Sequence, residues 1–284
     1  MKLGLALSGG GIRGIAHSGV LKALEDNNIK VDIIGGTSSG GIIAALYAMG
    51  YSPYYIYVMF KRYAKDFAAI NSGAMISGLR NYMLNKKMDL PGLKTGEMLE
   101  KMFEQVATKK GIKTIEDIEM PLVITAVDIA DVCKYVFTNN KPQNGTEGTK
   151  YITDITIGKA VRATSSFPAI FCPVHYKTHM FLDGGALDNV PVQEVKKQGA
   201  DKVIAVNFAA DSVDKNSNAM DIAMKTIDVM GNKISEENIA LSDYLLTVST
   251  DKTGLLDIQK LDSCYKYGYE TVIKNLDRIK KIIS

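Results

Sequence analysis

The sequence predicts an α/β fold, a three-layer sandwich with a mainly parallel central sheet flanked by helices. Two strand, glycine-turn, helix units follow one another within the first fifty residues: Lys2–Leu7 leads through SGGGIRG into Ile15–Asn27, and Val31–Ile34 leads through GGTSSG into Ser39–Met49. From Leu3 on the first candidate strand is apolar throughout, as a strand buried on both faces of a parallel sheet should be. The glycine turns fall where those strands end, at the sheet edge where α/β proteins usually place their sites.

Taken in order, Lys2–Leu7 is the first strand, and Ile15, Val20, Leu21 and Leu24 mark one apolar face of the helix after it. Ser52-Pro53 opens a tyrosine-rich helix, Tyr54–Ala69, and Asn71–Asp89 is poorly patterned. Thr95–Ala107 reads as a helix, and Leu122–Ile129 with Lys134–Thr138 as a strand pair. Asn139–Lys150 is a polar loop rich in turn residues, and Ile157–Ser166 is a helix that stops ahead of Pro168. Met180–Leu182 is a short strand running into Asp183-Gly184-Gly185, and Pro191 sits in the first-turn position of a helix to Gln198. Lys202–Phe208 is a strand, Ala219–Ile239 an amphipathic helix, Leu245–Val248 a strand and Ser263–Ile283 a final helix. Neither an internal repeat nor a clear linker interrupts this order, so one domain over 1–284 is expected.

Composition excludes several function classes. With 46% hydrophobic and 23% charged residues the chain can bury a substantial core. Its 34 basic and 31 acidic residues, a formal charge of +3, are too balanced to argue for nucleic acid. Cys133, Cys172 and Cys264 are odd in number and widely spaced, which fits neither a disulfide framework nor a zinc site and suggests a reducing compartment. The N-terminal apolar run is cut off by glycines, so it fails as a secretory segment, and no apolar stretch reaches the span of a membrane helix. A cytoplasmic protein is expected, with peripheral membrane contact left open and the oligomeric state undetermined.

Ser38 is the first candidate for chemistry. In Gly36-Thr37-Ser38-Ser39-Gly40 a serine at a sharp strand-to-helix turn presents its hydroxyl outward, at a helix N-terminus that favours negative charge. Gly36 and Gly40 allow strand and helix to pass closely. The competing reading is a serine that caps the helix. Gly9 to Gly14 formally matches the dinucleotide pattern, but the acidic residue needed at the end of the second strand is replaced by Gly36-Thr37-Ser38, so a nucleotide or anion binder is the weaker alternative. If the first two strands are neighbours, the amides of Gly10 and Gly11 face Ser38 and form an oxyanion hole, with Arg13 either holding an anionic substrate group or lying on the surface.

The base is the open question. His17, His175 and His179 all precede Asp183, so a histidine triad needs Asp128 or Asp154 with His175 or His179. His17 reads as a packed or hydrogen-bonded histidine. Asp183, at a strand end before two glycines, is exposed in a tight turn; an aspartate is a feeble base at its ordinary pKa of about 3.9, but burial raises that value. Neither route needs a metal or an organic cofactor.

GGGIRG, GTSSG and DGG, in that order and on those elements, resemble the patatin-like phospholipase family, as do His17-Ser18-Gly19-Val20-Leu21 and Arg162-Ala163-Thr164-Ser165-Ser166-Phe167-Pro168. The similarity spans roughly Lys2 to Phe208 and fades over 209–284. Ser39 departs mildly, since the family often has alanine there. The resemblance implies a lipid acyl hydrolase with Ser38 as nucleophile, Asp183 as its sole base, Gly184 and Gly185 completing the aspartate motif, and Gly9, Gly10, Gly11 and Gly14 as the oxyanion-hole motif. It leaves open whether Tyr51, Tyr54, Tyr55, Tyr57 and Tyr63, with Met59 and Phe60, dock on lipid or pack over the sheet, and whether Met220 to Met230 are core.

Overall fold

The computed structural model describes residues 1–68, 94–168, 170–209, 219–251, 253–254 and 257–284. The stretch from Asn71 to Asp89 lies outside them. Among the described residues nine strands make one sheet: β1 (Leu3–Leu7), β2 (Ile33–Gly36), β3 (Leu122–Asp128), β4 (Cys133–Thr138), β5 (Thr149–Ile152), β6 (Val174–Tyr176), β7 (His179–Asp183), β8 (Lys202–Phe208) and β9 (Tyr244–Val248). Their order is β5-β4-β3-β2-β1-β8-β9, with the β6–β7 hairpin attached to β3. The strands from β3 through β2, β1 and β8 to β9 run parallel, while β4 and β7 are antiparallel to β3.

The helices are α1 (Ile15–Asp26), α2 (Ser39–Ala48), α3 (Pro53–Ala68), α4 (Glu97–Lys109), α5 (Ile157–Thr164), α6 (Val192–Lys197), α7 (Ala219–Ile234), α8 (Glu236–Ala240), α9 (Leu261–Lys274) and α10 (Leu276–Ile283). The two-residue period of β1 divides them into layers. Leu3, Leu5 and Leu7 enter the large apolar cluster with α1, α2 and α9, and Ala6 enters a smaller one with Val192 and Val195 of α6. Each fully buried leucine or isoleucine here contributes about 1.5–3 kcal/mol.

The structure departs from the sequence reading at weakly patterned edges. The loop expected over Asn139–Lys150 ends in β5, a half-exposed edge strand with no apolar alternation, and the short strand at Met180–Leu182 is the second arm of a hairpin. The helix expected over Ala219–Ile239 breaks at Ser235, whose hydroxyl donates to the Gly231 carbonyl and accepts the Asn189 amide. The last helix breaks at Asn275, whose side chain donates to the Thr271 carbonyl and accepts from Tyr244. No helix among the described residues is long and apolar enough to cross a membrane.

Candidate active site

β2 and β7 occupy the same side of β3. Gly36, the last residue of β2, pairs with Ile124, and Asp183, the last of β7, pairs with Ala126. Because β2 is parallel to β3 and β7 antiparallel, the two strands meet tail to tail, with ends about 7 Å apart at a rise of about 3.3 Å per residue. Leu7, the last residue of β1, pairs with Gly36, so the glycine turn opens at the same edge. Thr125 stands between the two strand ends; its hydroxyl lies 2.6 Å from that of Thr37, which donates to the Asp188 carbonyl at 2.8 Å. The turn before Ser38 is thereby tied to the turn after Asp183.

Ser38 takes φ 53° and ψ −123°, a strained conformation for a residue with a side chain. That turn exists only because a methyl is missing at Gly36, where it would lie 2.3 Å from the Gly40 carbonyl group. Ser38 occupies the N-cap position of α2, yet its hydroxyl makes no capping bond; its amide donates to Thr164 Oγ1 at 2.8 Å. The capping reading therefore fails. The half-buried side chain is open to the cleft instead.

Asp183 is 3% exposed. Burial pushes its carboxyl pKa up to about 6, while the Ser38 side chain and the Gly185 amide pull it partway back. Oδ1 accepts the Gly185 amide at 2.9 Å, and Oδ2 is buried with no hydrogen-bond partner among the described residues. The Ser38 side chain favours the ionised form of this carboxyl, although no hydrogen bond is formed to Oδ2.

The glycine turn sorts into different jobs. The Gly9 amide is engaged by both the backbone and side-chain oxygens of Asn189, at 3.2 and 3.1 Å, so Gly9 shapes the turn and does not offer a free donor. A methyl on Gly14 would fall 2.4 Å from Ser39 Cβ, so that glycine permits close packing behind the turn. Gly10 and Gly11 line the cleft beside Ser38, and among the described residues their amides serve no other acceptor. Of the glycines expected to form the oxyanion hole, Gly9 thus has its amide committed to Asn189 and Gly14 packs behind the turn, while Gly10 and Gly11 stand at the cleft.

Arg13 also differs from expectation. It is 3% exposed, paired with Asp228 at 3.2 Å, bonded through Nε to the Gly10 carbonyl and laid over the Phe208 ring. A buried, paired guanidinium cannot also serve as the expected substrate anchor. Gly184 backs onto Thr125, where a methyl would lie 2.3 Å from Oγ1, and the turn beyond it is fastened by Asp188, whose carboxylate meets Lys134 at 3.0 Å and Asn238 at 2.7 Å. Asn189 and Asp228 were missed by sequence reasoning; neither carries a periodic or motif signal, and only the fold brings them to the glycine turn.

The histidines lie elsewhere. His17 is fully buried, bonded through Nε2 to the Ser8 carbonyl and packed on Phe208, and burial lowers its pKa to about 4. Asp128 and His179 do form a pair, at 2.7 Å, but His179 stands four residues up β7 from Asp183, about 13 Å away along the strand. His175 and Asp154 are exposed. Among the described residues no group of side chains is disposed to hold a metal ion.

A cleft continuous with solvent lies over Ser38 and Asp183. Its walls are mostly apolar, including Ile42, Phe60, Tyr63, Phe167 and Phe171. Phe60 and Tyr63 are buried, Tyr51 bonds the Val106 carbonyl and Tyr57 bonds Asp262, so the tyrosine helix packs against neighbouring helices, chiefly α1 and α2, with Tyr54 exposed. On the C-terminal side Ile227 lines the cleft and Met230 is exposed.

The sequence profile of the patatin-like phospholipase family matches residues 5–196. The lysophospholipase NTE1 of Candida albicans is 30% identical over 295 aligned positions, covering 94% of this chain and 19% of that protein. Lysophospholipase NTE1 of Meyerozyma guilliermondii is 34% identical over 208 positions, covering 73% and 13%. The chain therefore spans about a fifth or less of the length of these relatives. The crystal structure of VipD from Legionella pneumophila superposes with a TM-score of 0.52 at 15% identity, covering 98% of this chain and 67% of that one, a likeness of fold.

Proposed function

The chain belongs to the patatin-like phospholipase family, and from that premise we propose that it hydrolyses carboxylic ester bonds of lipids with Ser38 as nucleophile and Asp183 as base. One observation carries the assignment: an uncapped serine hydroxyl in a strained turn lies beside a buried carboxyl whose pKa is raised to about 6. That value makes the carboxylate a better proton acceptor than an ordinary aspartate while leaving it ionised at neutral pH.

In this mechanism Asp183 takes the Ser38 proton as Oγ attacks the acyl carbonyl. The oxyanion is held by the amides of Gly10 and Gly11, each worth about 2.7–4 kcal/mol to the transition state. Collapse expels the alcohol with the proton from Asp183; water, deprotonated by Asp183, then attacks the acyl-enzyme and returns Ser38. The apolar walls of the cleft suit an acyl chain, which supports a lipid as substrate and a peripheral membrane contact to reach it.

The test uses short p-nitrophenyl esters and a fluorophosphonate probe. Ser38→Ala and Asp183→Asn, both folded, lose hydrolysis by about 10³-fold or more, and Ser38→Ala also loses labelling. His175→Ala and His179→Ala retain activity within about twofold. Hydrolysis retained in either dyad variant removes the assignment, and its loss in His179→Ala restores the triad.

A further inference from the structure

Helix α7 lies beyond the residues 5–196 that match the family, yet it touches both halves of the site. Gly231 is pressed against the turn after Asp183, where a methyl would meet the Gly185 carbonyl oxygen at 2.5 Å. One turn earlier on the helix, Asp228 reaches the glycine turn, its two carboxylate oxygens each 3.2 Å from Arg13 Nη2. Lys225 shares the same carboxylate at 3.0 Å.

What Arg13 does with its other donors gives this pair a direction. Its backbone N–H and its Nε both donate to the Gly10 carbonyl, each at 3.2 Å, and its guanidinium lies 5.2 Å over the Phe208 ring, on which Gly10 is packed so closely that a methyl would come within 2.5 Å. The Gly10 carbonyl and the Gly11 N–H belong to one trans peptide unit, so they point in opposite directions. A carbonyl held back toward Arg13 therefore sends the Gly11 N–H the other way. Gly11 can hold this course because its φ of 58° carries no steric penalty for glycine.

We propose that Asp228, acting through Arg13, is a positioning residue for the oxyanion hole: it fixes the guanidinium that fixes the Gly10–Gly11 peptide and so aims the Gly11 N–H at the developing oxyanion. Asp228 touches no reacting atom. A buried ion pair is a weak source of stability but a good source of fixed geometry, and an oxyanion donor is effective only when its aim is set in advance. This deepens the Ser38–Asp183 reading and rests on it.

The experiment compares the full chain with Asp228→Asn, Arg13→Lys and the double variant, using p-nitrophenyl ester turnover and inhibition by an alkyl trifluoromethyl ketone, whose adduct with Ser38 carries the oxyanion. The expected result is a loss of kcat of roughly 10- to 100-fold, smaller than loss of a whole donor, with KM within about twofold. Affinity for the ketone falls by the same factor, while affinity for the corresponding unreactive secondary alcohol is unchanged. The double variant loses no more than the worse single one, since both act on one peptide unit. A merely structural pair would lower the unfolding temperature without separating ketone from alcohol. If Asp228→Asn does not fold, Asp228→Glu carries the test: it retains the charge, shifts the guanidinium, and is expected to lose severalfold in kcat and ketone affinity together. Turnover that is Ser38-dependent in the parent chain and unchanged in these variants, or lost without a matching loss of ketone affinity, overturns the proposal. Absence of Ser38-dependent turnover in the parent chain overturns the hydrolase reading instead.

Discussion

At Asp183 stability and chemistry pull in opposite directions. Folding raises its carboxyl pKa from 3.8 to about 6, so between those values the folded chain binds more protons than the unfolded one. The sign follows: ionisation of Asp183 costs stability as pH rises through that window, and the cost is complete above it. Asp183→Asn should therefore unfold at the same temperature as the parent or higher at pH 7.5, with the difference shrinking below pH 5, as thermal scans across pH would show. Activity runs the other way, because only the ionised carboxylate accepts the Ser38 proton; kcat/KM should climb through about pH 6 to a plateau. A flat profile from pH 5 to 8 would exclude Asp183 as the base. Ser38 and Asp183 were legible from the turns that hold them, since glycine spacing encodes close backbone approach. Arg13 was left between a substrate anchor and a surface residue because a basic residue in a glycine turn looks the same whether it faces solvent, a ligand or, as here, a buried carboxylate from Asp228.

At the scale of elements, α1 and α9 show how a late segment is fitted to an early one. A methyl on Gly268 would lie 2.0 Å from the Ala16 carbonyl oxygen, and one on Gly19 would lie 2.0 Å from that of Tyr265, so the two helices cross with their backbones touching. Gly268→Ala must push them apart, and overpacking of this kind typically costs about 1–3 kcal/mol. Thermal unfolding followed by circular dichroism should register a lower midpoint, and an unchanged one would mean that the crossing yields without cost. The strand, turn and helix units around Ser38 were readable because their apolar runs are buried on both sides. β5 and β6 were not, because edge and hairpin strands are half-exposed and lack the pattern. The break at Ser235 was hidden for a different reason: it is stabilised by a hydrogen bond from Asn189, forty-six residues earlier.

For the whole molecule, the described residues after Phe208 are not an appendage in the packing. β9 extends the sheet beside β8, and Leu261, Cys264, Val272 and Ile279 enter the same apolar cluster as β1 and α1. We propose that 1–284 fold as one unit. Heating should then give a single transition, with calorimetric and van't Hoff enthalpies in agreement; two separable transitions would divide the chain. Loss of α9 should likewise expose α1 and abolish folding of the remainder, not merely trim it.

The sequence by itself determined the fold class, the serine turn, the glycine turn and the aspartate turn, because each is written in local spacing: apolar runs of strand length, glycines where backbones must touch, a serine or aspartate at the bend. Only the tertiary structure decided which of these groups act on one another. β2 and β7 approach from opposite directions along β3, and that topology sets Asp183 beside Ser38 while leaving the Asp128–His179 pair at the far end of the same strand. Burial, a property of the assembled chain, then gives Asp183 its raised pKa and turns Arg13 inward to Asp228.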